Sequence, residues 1–211
     1  MKNHFFAYLS KMRWIYRWGM KRNAVQENVM EHSFEVAVIA HALGVISRRV
    51  CGNAIDENQL AVTALFHDVS EVLTGDLPSP IKYHNRKIRD AYKELEHAAE
   101  REMLSTLPAE LQEDYRAYLL HDDVPAELAR LIKGADLIAS LLKCKAEVNA
   151  GNAEFTRAVV DVEERLRRME LREVDYFVEH FLPSFDLTLD ELITHSEQLF
   201  PDAADNRPVD H

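Results

Sequence analysis

Apolar residues recur at helical spacing over nearly the whole chain, with strong stripes at 28–50, 57–73, 86–106, 127–148 and 153–181. The two-residue alternation of a half-buried strand is almost absent. A chain with this period buries its apolar surface by packing helix on helix, so the expected fold class is all-α, a single-domain helical bundle. Only six glycines and seven prolines in 211 residues leave few turns, which agrees. That length suffices for one well-packed core. The domain is expected to span residues 1–200, with 201–211, "PDAADNRPVDH", as a disordered tail that has little to bury.

A formal net charge of -11 argues against duplex nucleic acid as a partner for the general surface, because phosphate attraction needs a positive face. Against that background "KMRWIYRWGMKRN" at 11–23 stands out, with Lys11, Arg13, Arg17, Lys21 and Arg22 and no acid. It reads either as a solvated basic edge or as a pocket wall for a small anion. Cys51 and Cys144 lack the spacing of a metal or redox pair, and a reducing compartment fits. Charges interrupt the N-terminal aromatics, and no apolar run is expected to span a bilayer, so a cytoplasmic location without membrane contact is expected.

Several polar residues fall on apolar stripes. In the first long helix Val29, Val36, Ile39, Ala40, Leu43, Ile46 and Val50 face inward, and His32 occupies the same stripe. "CGNAID" at 51–56 is a loop whose Asp56 caps the next helix. That helix, 57–73, is apolar nearly all round and belongs at the centre of a bundle, with Leu65, Phe66, Val69, Val72 and Leu73 buried. It nevertheless carries His67, Asp68 and Glu71. It should stop near Thr74–Gly75, where "GDLPSP" forms a rigid loop beside the charged cluster. The helix 86–106 is amphipathic and superficial. Asp123 is expected to cap the following helix, with Pro125 in its first turn. There Leu128, Leu131, Ile132, Ala135, Ala139 and Leu142 form the buried stripe, and Asp136 points inward among them.

His32, His67, Asp68 and Asp136 thus bring two imidazoles and two carboxylates into the core from three helices. Buried carboxylates are tolerated when paired or metal-bound, and a shared divalent cation would neutralise both at once; the set suits Mn, Co, Fe or Zn. Singly, each has an ordinary alternative: a hydrogen-bonded core histidine, or an aspartate paired with Lys or Arg. His121–Asp122 repeats the dipeptide but precedes Asp123-Val124-Pro125, and reads as turn chemistry.

"ENVMEHS" around His32, "LFHDVSEVLTGDLPSP" around His67–Asp68 and "KGADLIAS" around Asp136 resemble, in order and spacing, the H…HD…D pattern of the HD-domain metal-dependent phosphohydrolases. More narrowly, "YRW" at 16–18, the glutamate three residues beyond the HD aspartate, "GDLPSP" and "DYFVEHFLPSF" resemble bacterial 5'-deoxynucleotidases of the YfbR type. The likeness covers most of residues 1–190.

The resemblance implies a homodimer that hydrolyses 2'-deoxynucleoside 5'-monophosphates to deoxynucleoside and phosphate, with one divalent metal ion per chain, Co2+ or Mn2+. It implies His32, His67, Asp68 and Asp136 as metal ligands, of which His32, Asp68 and Asp136 also touch substrate. Glu71 matches the catalytic carboxylate, and Arg17 and Trp18 match residues that hold phosphate and sugar. Asp76, Leu77, Pro78 and Ser79 match the loop closing over the deoxyribose. Family members often have threonine where Ser79 stands, and "GMK" after Trp18 also varies; both bear only on fine substrate preference. From spacing, Glu71 lies i+4 from His67 and i+3 from Asp68, on one side of a helix and within reach of a proton beside the metal. As site residues Asp76 would accept the sugar 3'-hydroxyl and Trp18 would crowd a 2'-hydroxyl; the ordinary alternatives are a turn or helix-terminus role for Asp76 and a core position for Trp18. Rival readings are another HD phosphohydrolase (a nucleoside triphosphate hydrolase or phosphodiesterase), a non-catalytic metal- or nucleotide-sensing HD domain, and a di-iron bundle. The last needs Glu-x-x-His twice, and the spacing occurs once, at Glu94 and His97.

Overall fold

The computed structural model describes residues 3–194. They are all-α: α1 Phe5–Leu9, α2 Val29–Ile46, α3 Glu57–Leu65, α4 Glu71–Thr74, α5 Ser79–Lys82, α6 Arg86–Ser105, α7 Ala109–Leu119, α8 Ala126–Asn149, α9 Thr156–Arg168, α10 Arg172–His180 and α11 Leu189–Thr194. The one β feature among the described residues is an isolated antiparallel bridge between Tyr16 and Asn28. The chain divides into two compact units after Val174. In the second, Phe177 packs on Phe181 with ring centroids 5.2 Å apart, and Thr188 starts α11 by donating its N–H to Glu191 Oε2 at 2.7 Å. The proposed tail, 201–211, lies outside the described residues.

In the first unit α2 packs between α3 and α8, and α9 folds back on α8. A capping box starts α2: Asn28 accepts from Glu31 N, and the Glu31 carboxylate accepts from Asn28 N. Val29, Val36, Ile39, Ala40, Leu43 and Ile46 are buried as the stripe requires, whereas Val50 is 45% exposed. The cause is a π-turn over Ser47–Cys51, which rotates the helix phase just before Val50. With that turn the helix is 23 residues long and contains an 18-residue stretch of mean hydropathy 1.4, so by length and composition alone it could cross a membrane, which the sequence expectation had not allowed for. Its inward face is occupied by α3 and α8, as befits a bundle's core helix.

The helix expected over 57–73 is broken. Asp56 caps α3 through Asn58 N and Gln59 N, as expected, but α3 ends at Leu65 and residues 66–70 form successive tight turns. Val69 N bonds Phe66 O and Glu71 N bonds Asp68 O, an i→i-3 pattern. His67 contributes to the break, because its Nδ1 takes the Ala64 carbonyl at 2.8 Å, an acceptor that α-helix would give to Asp68 N. Leu65 and Leu73 are consequently 40% and 37% exposed rather than buried. Val69, with Phe66 and Val72 packed beside it, anchors the turn in a second cluster with Phe5, Met103, Leu104, Leu107 and Leu119. The turn's polar residues are left facing α2 and α8.

Three further boundaries differ from expectation. α8 begins after Pro125 with no side-chain cap, and Asp123 belongs to a 3-10 turn; Val124, held extended before proline, places Asp123 too early to cap. Helix α7 lies between the strong stripes, and its buried face amounts to Leu119. The stripe 153–181 is interrupted at Glu170, whose φ of 50° separates α9 from α10.

Segment 22–25 is tied down by a buried carboxylate. Glu147, fully buried on α8, accepts from Ala24 N at 2.8 Å, Val25 N at 3.0 Å and Asn152 Nδ2 at 2.7 Å, and it pairs with Lys143. These bonds hold its pKa down to about 2 although burial alone would raise it.

Candidate active site

His32, in the first turn of α2, is completely buried. Its Nε2 stands 3.2 Å from Asp136 Oδ1 and 3.7 Å from Asp68 Oδ2, while His67 Nε2 stands 3.2 Å from the same Asp68 oxygen. None of these contacts has the geometry of a well-formed hydrogen bond. Both ring nitrogens of His32 and Nε2 of His67 are buried without a hydrogen-bond partner. Ligands held about 2.0–2.2 Å from one ion stand roughly 2.8–3.6 Å apart at octahedral to tetrahedral angles. The two 3.2 Å separations fall inside this range and the 3.7 Å one lies just beyond it, as groups aimed at a common point would stand. His32, His67 and Asp68 offer atoms all within 4.8 Å of one another, and Asp136 adjoins them through His32. The residues present thus fit a divalent cation.

The ordinary alternative is met in part, since both aspartates have cationic partners. Arg17 Nη1 donates to Asp68 Oδ2 at 3.1 Å, and Lys133 Nζ donates to Asp136 Oδ2 at 2.6 Å. Burial would raise both carboxyls, but His67 and Arg17 hold Asp68 low, and Lys133 and His32 hold Asp136 low. These pairs leave the partnerless imidazole nitrogens unexplained, and those nitrogens carry the case for a metal.

Glu71 opens α4 with 8% of its surface exposed and one oxygen buried without a partner. Burial, reinforced by Asp68 and Asp76, pushes its carboxyl well above the usual range. The tight turn brings Glu71 N onto Asp68 O at 3.1 Å, and both residues line one cavity.

Arg17 and Trp18 lie on the segment before α2, where Arg17 N donates to Glu27 O at 3.0 Å and Val29 N to Ile15 O at 2.9 Å. Burial disfavours charge on the Arg17 guanidinium, yet Asp68 and Glu27 raise its pKa above the ordinary value. Trp18 has φ 62°, which is costly for a bulky side chain. Its N–H donates to Asp76 Oδ2 at 3.2 Å, and its ring meets Phe155 edge-on at 5.3 Å. A cavity of about 230 Å³ is lined by Arg17, Trp18, Asp68, Glu71, Asp76, Leu77, Pro78, Ser79 and Asp136, together with Lys82, Tyr83, Lys133, Ser140, Val162 and Arg165. His32 and His67 are not on its wall.

A family model described as 5'-deoxynucleotidase YfbR-like matches residues 4–185. The chain belongs to the YfbR-like 5'-deoxynucleotidase family. Among relatives in this family, the 5'-deoxynucleotidase of Vibrio vulnificus is 46% identical over 90% of this chain and 98% of its own length. That of Pectobacterium atrosepticum is 47% identical over 90% of this chain and 96% of its own. An HD-domain phosphohydrolase from Listeria innocua superposes with a TM-score of 0.76 at 26% identity, covering 97% of this chain and 98% of that one. The cyanophage S-2L HD phosphohydrolase, solved with dA and one catalytic Zn2+ ion, shares the fold with a TM-score of 0.63 at 21% identity, over 86% of this chain and 96% of that one.

The family motifs leave several wall residues unaccounted for. Lys133 sits one turn before Asp136 on α8 and was within reach of a spacing argument. Val162 and Arg165 come from α9 and carried no signal, because only the fold of α9 onto α8 brings them to the cavity. His121, the second HD dipeptide, pairs instead with buried Glu100. Of the basic stretch, Arg17 and Lys21 reach the cavity wall, while Lys11, Arg13 and Arg22 are exposed.

Proposed function

We propose that this chain hydrolyses 2'-deoxynucleoside 5'-monophosphates to deoxynucleoside and phosphate, using one divalent ion, Co2+ or Mn2+, held by His32, His67, Asp68 and Asp136. The observation that carries this reading is the convergence of partnerless imidazole nitrogens on the Asp68 and Asp136 carboxylates at a cavity that also presents Arg17 and Glu71. A divalent ion held there supplies Lewis acidity, polarising a phosphoryl oxygen and easing deprotonation of a water. Arg17 offers its remaining N–H groups to the phosphate and neutralises equatorial charge. Glu71, whose carboxyl burial pushes well above the usual range, manages proton traffic at the reacting phosphate. Asp76 keeps Oδ1 for the sugar 3'-hydroxyl while Oδ2 holds Trp18, whose indole crowds a 2'-hydroxyl. Leu77, Pro78 and Ser79 close over the sugar.

The protein is read as a cytoplasmic homodimer. Association is supported by family likeness and by Phe34 and Val38, one turn apart on α2, which are 66% and 55% exposed. The test is a phosphate-release panel of deoxy- and ribonucleoside mono-, di- and triphosphates with Co2+, Mn2+, Zn2+, Mg2+ and chelator. Metal-dependent orthophosphate release from deoxynucleoside monophosphates is expected. Pyrophosphate or triphosphate release would move the assignment to another HD phosphohydrolase, and a ribonucleotide preference would remove the sugar-selectivity claim.

A further inference from the structure

We infer that Glu27, through one carboxylate, positions the phosphate-holding Arg17, the sugar-wall Trp18 and the metal-ligating His32 relative to one another; this deepens the nucleotidase reading above and rests on it. Glu27 Oε2 accepts from Arg17 Nε at 3.0 Å and from the Trp18 indole N–H at 3.1 Å. The other oxygen, Oε1, stands 3.9 Å from His32 Nδ1. The side chain is 11% exposed.

Three features make this more than a local ion pair. The segment bearing Arg17 and Trp18 is not helical and is joined to the start of α2 by one β-bridge, so its side chains need fixing from outside. Trp18 is held in a left-handed backbone conformation, which persists only where surroundings over-determine it; Glu27 holds its indole N–H, Asp76 its backbone N–H and Phe155 its ring, while its carbonyl accepts from Lys21 N at 2.8 Å and Asn23 Nδ2 at 3.5 Å. Arg17 is gripped at Nε by Glu27 and at Nη1 by Asp68, which fixes the guanidinium plane and leaves Nη2 for an anion.

The chemistry also requires a carboxylate. Once His32 Nε2 serves as a ligand, Nδ1 carries the proton, and three donors then surround Glu27: Arg17 Nε–H, Trp18 Nε1–H and His32 Nδ1–H. Glutamate accepts from the first two through Oε2 and turns Oε1 toward the third, which stands 3.9 Å away, too long for a hydrogen bond as it stands. Glutamine has one acceptor oxygen, and its amide N–H groups would oppose a donor. Glu27 stands just ahead of the Asn28–Glu31 capping box, so the cap that starts α2 also sets where this carboxylate points.

The test compares wild type, Glu27→Gln and Glu27→Asp by three readouts: kcat and KM on a deoxynucleoside 5'-monophosphate and its ribonucleotide, Mn2+ affinity by calorimetry, and the two tryptophan indole N–H resonances. For Glu27→Gln the deoxy/ribo ratio of kcat/KM should fall about tenfold, mainly through the deoxynucleotide KM, and Mn2+ affinity should weaken about tenfold. The Trp18 indole signal should move while that of Trp14, which is 67% exposed, stays in place. Glu27→Asp keeps the charge with a shorter reach and should show smaller losses of the same kind; it carries the comparison if Glu27→Gln does not fold. Equal loss on both sugars with unchanged Mn2+ affinity would reduce Glu27 to a structural tie and overturn the inference, as would no change at all. A wild type without deoxynucleotide activity would instead overturn the nucleotidase reading, and the Mn2+ and indole readouts would still decide the role of Glu27.

Discussion

Asp68 Oδ2 receives Arg17 Nη1 at 3.1 Å and stands 3.2 Å from His67 Nε2 and 3.7 Å from His32 Nε2, so one oxygen gathers most of the site's charge. Each residue around it is assigned a separable duty. Glu71→Gln removes the proton-handling group without touching a ligand, and is expected to lower kcat by about 10²–10⁴ with Mn2+ binding retained, as turnover and calorimetry on one preparation would show. Asp76→Ala should also keep the metal but raise the deoxynucleotide KM, and unchanged kinetics would strike Asp76 from the site. His32 and Asp136 were legible in the sequence because a regular helix converts stripe position into direction, and both point inward as expected. Glu27 was not legible. It precedes a helix, where no period assigns a side, and its partners Arg17 and Trp18 are reached across a bridge that no repeat announces.

At the scale of elements, the 3.6-residue period located α2, α6 and α8 but ran through the break at residues 66–70. Apolar spacing in tight turns resembles that of a helix, and the competition of the His67 ring for the Ala64 carbonyl is a side-chain event. The α2–α3 crossing offers a test of packing apart from chemistry. A Cβ on Gly44 would meet the Glu57 backbone Cα at 2.9 Å, so Gly44→Ala is expected to cost about 1–3 kcal/mol of stability, measurable by urea unfolding. Glu147 gives a pH test. Its folded pKa of about 2 lies below the unfolded value of about 4.3, so its contribution is fully present above the unfolded value and is lost as pH falls through the folded one. The stability gap between wild type and Glu147→Gln should therefore be widest near neutrality and close between these two values, as unfolding at a series of pH values would reveal.

For the molecule as a whole, the architecture follows from composition and period, since a chain without strand alternation has only helices to pack. The assembly follows from its surface. If the outward face of α2 is the dimer contact, Phe34→Glu should convert a dimer into a monomer in sedimentation velocity, and a wild type that sediments as a monomer would refute association. The central claim is that three distant segments share one cation. Anomalous scattering from crystals soaked in Mn2+ tests this most directly. One peak per chain is expected, within about 2.0–2.3 Å of His32 Nε2, His67 Nε2, Asp68 Oδ2 and Asp136 Oδ1. No peak at that point, or one that excludes the two histidines, would contradict it.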